Sequence, residues 1–194
     1  MNLIKNIIES KDLVIEHDVF LSLGSNIDRV DNINSCLESL LQAFGDVSCS
    51  PVYESEPVGF EGSSFYNLTV KITTGLSLDV LTQTLKSIED ENGRVRGGKK
   101  FSSRTLDIDI LTYGDLCGVF GGIELPRPEI FFNAFVLLPM AELAADVIEP
   151  KTKQSFAALW LERRSDILIK QKLWQVDFEW PSGIKYIHTS ASVA

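Results

Sequence analysis

Apolar and polar positions mark out elements along most of the chain. Val19-Phe20-Leu21-Ser22-Leu23 is a compact apolar run ending at Gly24-Ser25-Asn26, which predicts a buried central strand entering a turn. From Asp28 to Phe44, the residues Ile33, Leu37, Leu40, Leu41 and Phe44 recur at steps of three and four. That spacing predicts an amphipathic helix, with Asp28 as its N-cap and Gly45-Asp46 as its stop. Val47 to Tyr53 reads as a second strand, Glu54 to Ser64 as a loop carrying Pro57, Gly59 and Gly62, and Phe65 to Thr73 as a third strand. Ser77 caps a second helix striped by Leu78, Leu81, Leu85 and Ile88, and Asn92-Gly93 ends it. Thr105 to Tyr113 supplies the next strand.

The order βαββαβ is the split βαβ arrangement of ferredoxin-like sandwiches. The fold class expected is therefore α+β, an antiparallel sheet with two helices packed on one face. Ala134 to Ala145 is a further helix, interrupted by Pro139. Toward the C-terminus, Trp174, Val176, Phe178 and Trp180 alternate with Gln175, Asp177 and Glu179 before Pro181-Ser182-Gly183 turns into Ile184 to His188. This predicts a β-hairpin with an aromatic face, packed either on the protein's own core or in a dimer contact. The expected organisation is an N-terminal extension over residues 1–17, one domain over 18–160 and a C-terminal extension over 161–194.

Composition fits one globular core, with 194 residues, 44% of them hydrophobic. Lys and Arg number 18 against 27 Asp and Glu, a net charge of −9, which disfavours nucleic acid and anionic membrane as partners. Cys36, Cys49 and Cys117 are far apart, and His17 and His188 lie at opposite ends, so neither a zinc site nor a Cys/His nucleophile is supported. No secretory or membrane-spanning segment is read at the N-terminus, and the expected location is the reduced cytoplasm.

The charge is unevenly placed. Arg94, Arg96, Lys99, Lys100 and Arg104 lie within residues 94–104, which contain no acid; this window is +5 and the remainder −14. Gly97-Gly98 and Ser102-Ser103 make it a loop able to close on an anion. The strand that follows reads Thr105-Leu106-Asp107-Ile108-Asp109-Ile110. Its period of two puts Asp107 and Asp109 on one face, roughly 7 Å apart. Like charges so placed repel, and a divalent cation with phosphate oxygens would neutralise them; a solvated outer face is the plain alternative. Cations beside paired aspartates match phosphoryl transfer. No Walker A motif is present, and Gly118-Val119-Phe120-Gly121-Gly122 lacks dinucleotide-binding spacing.

Several ordered motifs resemble those of one family, the 6-hydroxymethyl-7,8-dihydropterin pyrophosphokinases of folate biosynthesis. They are Leu23-Gly24-Ser25-Asn26, Tyr53 with Pro57 and Gly59, Phe65-Tyr66-Asn67, Ile88-Glu89 with Gly93-Arg94-Val95-Arg96, Arg104 through Leu111 with Tyr113-Gly114, Leu125-Pro126, and Phe135-Val136-Leu137 with Pro139. The resemblance spans Val19 to Leu143 and implies transfer of pyrophosphate from ATP to the hydroxymethyl oxygen of 6-hydroxymethyl-7,8-dihydropterin, releasing AMP. It implies that Asp107 and Asp109 hold two Mg²⁺ ions, that Arg94 and Arg104 act on the phosphates, and that Glu89, Arg96, Arg104, Ile110 and Arg127 bind ATP. For the pterin it implies Ser55, Val58, Phe65, Asn67, Phe101 and Phe135; for Phe65 and Phe135, core packing is the alternative from the residues alone. The expected state is monomer or homodimer.

Four positions depart from the family pattern. Arg127-Pro128 stands where the family has His-Pro, Asn133 where it has Arg, Ser102-Ser103 where it has Gly-Pro, and Glu56 where Pro is common. Arg127 keeps the positive charge lost at 133 but not the geometry or pH response of His. These departures motivate a second reading, a catalytically impaired or repurposed paralogue that binds pterin or nucleotide.

Overall fold

The computed structural model describes residues 15–57, 59, 61–93 and 103–187. Seven elements appear in the expected order: β1 (His17–Ser25), α1 (Arg29–Phe44), β2 (Val47–Cys49), β3 (Val52–Ser55), β4 (Phe65–Thr74), α2 (Leu78–Glu91) and β5 (Asp107–Tyr113). β1 lies between β4 and β5, antiparallel to both. β2 and β3 follow one another along the far edge of β4. This is the ferredoxin-like order. The second strand is split because Ser50 and Pro51 interrupt it: Ser50 N donates to Thr69 O at 2.9 Å, while Thr69 N turns to the Ser50 hydroxyl at 2.9 Å. Pro51 has no N–H to continue the ladder.

Val19, Leu21 and Leu23 of β1 and Leu68, Val70 and Ile72 of β4 face Ile33, Leu37 and Leu40 of α1 and Leu81, Leu85 and Ile88 of α2. The predicted stripes are thus the core of this layer. Burying each such side chain stabilises the fold by roughly 2 kcal/mol relative to exposure. Ser77 Oγ accepts from Val80 N, as a cap should. Asp28 precedes α1 as expected, but its backbone is left-handed and its side chain makes no capping bond.

α1 and α2 lie on one face of the sheet as expected, and a second helical layer, not expected there, covers the other face. α3 (Ala134–Leu143) and α4 (Phe156–Leu168) pack over Phe20, Tyr53 and Leu111 on the opposite side. α3 is buried nearly all round because it lies between sheet and α4. Single apolar residues among Ser22, Gly24, Asp107 and Asp109 gave this face a polar appearance in the sequence. Between β5 and α3, β6 (Gly118–Phe120) and β7 (Ile123–Leu125) form a hairpin, with Gly121 and Gly122 at φ 56° and 86° as its two-residue turn demands.

The C-terminal hairpin is not formed. β8 (Leu173–Val176) pairs antiparallel with β3, and β9 (Lys185–Tyr186) pairs parallel with β2. The turn at Pro181 to Gly183 exists, with Gly183 at φ 87°, but β2 and β3 offer an edge of unpaired backbone groups that captures each strand separately. Phe178 and Trp180 pack against the core, and Trp180 stacks on Tyr186 with ring centroids 4.8 Å apart. The boundary expected at residue 160 falls inside α4.

Phe156 is fully buried between β1 and the second helical layer, its ring 6.5 Å from that of Phe20. Phe156→Ala is expected to lower unfolding free energy by about 3–5 kcal/mol, read as a lower urea midpoint with an unchanged slope. A loss below about 1 kcal/mol would mean that this layer is not close-packed.

Candidate active site

The site is organised where β1 ends. Asn26 N donates to Arg104 O at 3.1 Å, and Arg104 N donates to Asn26 Oδ1 at 2.7 Å. The Asn26 amide also donates to Ser63 O at 3.1 Å and Ser103 Oγ at 3.3 Å. One buried side chain therefore ties the loop before β4 and the segment before β5 to the end of the central strand. In the sequence, Asn26 stood out only as part of a resemblance, because its partners are 37 and 77 residues away. Arg29 braces the same loop, donating to Glu54 at 2.9 Å and Ser64 O at 3.1 Å with its guanidinium over the Tyr66 ring.

From this anchor β5 sets out its two acids. Ile108 and Ile110 enter the core as the alternation requires. Asp107 and Asp109 are half-buried, opposite the small residues Gly24 and Ser22 of β1. Arg104 pairs with Asp107. Glu89, buried on α2, accepts the Ile108 N–H at 2.9 Å and so satisfies the outer edge of β5. Its position near the expected nucleotide also has this plain structural use.

Arg127 reaches Asp109 by way of the β6–β7 hairpin. Leu125 is buried, and Arg127 N donates to Leu111 O at 2.8 Å, so the backbone is held against β5. Arg127 Nη2 then lies 2.9 Å from Asp109 Oδ1, with Nε 3.4 Å from Glu129. Burial, and after it the Asp107 charge, push the Asp109 carboxyl up to about 6; Arg127 opposes this, and Glu129 and Glu89 add to it. A cleft of 210 Å³ between α2 and β5 is lined by Lys86, Glu89, Ile123, Arg127 and the Asp107 to Ile110 stretch.

Among the described residues, no three His, Cys, Asp or Glu side chains are grouped to hold a metal ion. Two carboxylates with surplus negative potential fit a hard divalent cation whose remaining ligands are water and phosphate oxygens, the habit of Mg²⁺. They do not fit a caged structural ion.

A second cleft, of 380 Å³, opens beside β3. Ser55, Pro57 and Gly59 line one side, Ala134 and Phe135 from the start of α3 another, and Lys170 to Leu173 the third. Asn67 is buried on β4, paired with Gly24 in the ladder, and its amide donates to Ser55 Oγ at 3.0 Å and Phe65 O at 3.3 Å. Phe65 sits opposite Ser55 in the β3–β4 register. Ser55, Phe65, Asn67 and Phe135 thus gather at one end of the sheet. Arg94, Arg96, Val58 and Phe101, with Lys99 and Lys100, lie outside the described residues.

Gln171 was not legible in the sequence. Its Oε1 accepts from Ala134 N at 2.8 Å, and its Nε2 donates to Phe132 O at 2.8 Å and Asn133 Oδ1 at 3.4 Å. It caps α3 from outside, where Asn133 makes no capping bond of its own, and so holds the turn that carries Phe135. Nothing in the spacing signals a residue 37 positions downstream as a helix cap. Tyr53, whose hydroxyl donates to Glu142 at 2.8 Å, ties β3 to the other end of α3.

Comparison with known proteins agrees with this layout. Residues 20–145 match the family described as 7,8-dihydro-6-hydroxymethylpterin-pyrophosphokinase. A 2-amino-4-hydroxy-6-hydroxymethyldihydropteridine pyrophosphokinase of Synechocystis is 34% identical over 146 residues, covering 74% of each chain. Its Haemophilus influenzae counterpart is 33% identical over 138 residues, 69% of this chain and 86% of that one. The folic acid synthesis protein fol1 of Pneumocystis carinii is 32% identical over 171 residues, 87% of this chain but only 23% of that protein. Among solved structures, Plasmodium falciparum HPPK-DHPS with pteroate superposes with a TM-score of 0.60 at 14% identity, covering 80% of this chain and 44% of that one, a likeness of fold. Profile, relatives and fold agree, and the chain belongs to the 7,8-dihydro-6-hydroxymethylpterin pyrophosphokinase family.

Proposed function

We propose that the protein transfers pyrophosphate from ATP to the hydroxymethyl oxygen of 6-hydroxymethyl-7,8-dihydropterin. In this reaction the hydroxyl oxygen attacks the β-phosphorus, the bond from that phosphorus to the α,β-bridging oxygen breaks, AMP leaves and the hydroxyl proton is released. The observation that carries the reading is the acid pair on β5, each member held by an arginine, in a chain otherwise too acidic to attract a polyphosphate.

In this reading the residues divide the work as follows. Asp107 and Asp109 would hold Mg²⁺, two ions in our reading, which when bound neutralises the phosphates and orients the attacking oxygen. Arg104 and Arg127 would take the phosphate oxygens as bidentate donors, with Arg94 and Arg96 assigned to the same work from the sequence. Ile110 lines the nucleotide cleft and Glu89 its α2 wall. Asn67, fixed by Ser55 and the Phe65 carbonyl, presents an amide to the pterin edge. Phe135 and Phe65 supply the apolar surround, with Phe101 and Val58 assigned to it from the resemblance alone. We assign the activity to the cytoplasm, as a monomer or homodimer without nucleic acid or membrane partners; among the described residues no helix is long and apolar enough to cross a membrane.

Incubation with ATP, Mg²⁺ and the reduced pterin is expected to release AMP, and Asp109→Ala to abolish the release. Tight pterin or nucleotide binding by calorimetry, with AMP no faster than background, would instead support the impaired paralogue. Asn67→Ala is expected to lower kcat/KM for the pterin roughly 10- to 100-fold, the scale of one buried hydrogen-bonding group, with KM for ATP little changed.

The raised carboxyl of Asp109 adds a stability prediction. The folded state binds this proton more tightly than the unfolded chain, whose carboxyl titrates near its ordinary value of 3.8. Stability from the protonated form is therefore present below about pH 4 and lost as pH rises through about 6. Without divalent cation, Asp109→Asn is expected to stabilise the protein at pH 7 by on the order of 1 kcal/mol, a figure discounted for solvent screening of a half-exposed group. The gain should vanish below pH 4 in urea melts, as the parent carboxyl protonates. Equal destabilisation at both pH values would contradict it.

A further inference from the structure

Both acids of β5 already have cationic partners. Arg104 engages Asp107, and Arg127 Nη2 stands 2.9 Å from Asp109 Oδ1. The two arginines come from different elements, and each is anchored by its backbone, Arg104 through Asn26 and Arg127 through the Leu111 carbonyl. With the backbones fixed, any exchange of partner falls to the side chains. Neither can shed its charge, because a guanidinium stays protonated at any working pH.

A bare divalent cation at these carboxylates would therefore have to displace two ion pairs, and no third acidic or imidazole ligand among the described residues is grouped to complete its shell. A polyphosphate changes both terms. Its oxygens supply the missing ligands, and they offer the displaced guanidiniums a bidentate partner as good as the one they leave. Glu129, 3.4 Å from Arg127 Nε, gives that side chain a second acceptor to pivot on.

We propose that Arg104 and Arg127 are exchange counter-ions: they compete with the divalent cation for Asp107 and Asp109 and transfer to the phosphates when cation and nucleotide arrive together. The site thereby discriminates against free cation and favours the cation–nucleotide complex, and the coupling is reciprocal. The inference rests on reading Asp107 and Asp109 as the metal ligands. It concerns chiefly Arg127, one of the positions at which this chain departs from the resembling family.

The test uses Mn²⁺ alone as probe, followed by electron paramagnetic resonance of the free ion, and Mn²⁺ with an ATP analogue whose α,β-bridging oxygen is a methylene, followed by calorimetry. Arg127→Gln in the full chain is expected to bind Mn²⁺ alone roughly two- to fivefold more tightly, the scale of a partly exposed ion pair, and the Mn²⁺–analogue complex more weakly. Effects of opposite sign are the signature, since a merely structural defect weakens both. Arg104→Gln should repeat the pattern if Arg127→Gln folds poorly. Unchanged or weaker binding of Mn²⁺ alone in both variants overturns the exchange. Asp109→Asn should lose Mn²⁺ binding; if it binds like the parent chain, the metal-ligand reading itself fails, whatever the arginines do.

Discussion

Two carboxylates placed two residues apart on one strand repel each other, and much of the molecule is arranged to keep them there. β5 is held on its inner edge by β1 and on its outer edge by the buried Glu89, which accepts the N–H of the residue between the two acids. Small side chains on the neighbouring strand leave the carboxylates room. The Asn26 clamp fixes the segment that delivers Arg104, and the β6–β7 hairpin delivers Arg127. What remains after these contacts is a carboxyl on Asp109 that is raised first by its burial and then by the neighbouring Asp107 charge, with Arg127 opposing only part of the rise. A site of this kind is less stable than a neutral strand and gains its compensation from ligand.

The first layer could be read from the chain because its long elements have a clean period, although the strand read over residues 47–53 is split into β2 and β3. Strand alternation in β1, β4 and β5 and helical stripes in α1 and α2 report one shared core. The second layer was only half legible. α3 was expected, yet its destination was not, because on the covered face β1 shows one Phe among small and polar residues. α4 carries Phe156, Leu159, Trp160 and Ile167 at helical spacing behind a Ser155 cap, a signal that was present and could have found it. The C-terminal strands were read as pairing with each other because adjacency favours hairpins. An open sheet edge won instead.

The site divides in the same way. Asp107 and Asp109 were visible from chemistry alone, since two acids on a strand call for a neutralising partner. Asn67, Ser55 and Phe135 needed the resemblance, because a polar residue on a strand and an aromatic at a helix start are ordinary. Gln171 and Asn26 needed the structure. Both act through backbone groups far away in sequence, and such bonds leave no periodic trace. Gln171 also gives the C-terminal segment a place in the cleft beside β3, with Phe135 and Ser55.

The central claim is that the acid pair and its arginines serve transfer of two phosphates as one unit. Phosphorus NMR of a mixture of the protein, Mg²⁺, ATP and the reduced hydroxymethylpterin tests this most directly. The account predicts that the β and γ resonances of ATP move together into a diphosphate ester of the pterin, in step with the appearance of AMP. A pterin monophosphate with ADP, or ATP left unchanged, would contradict it.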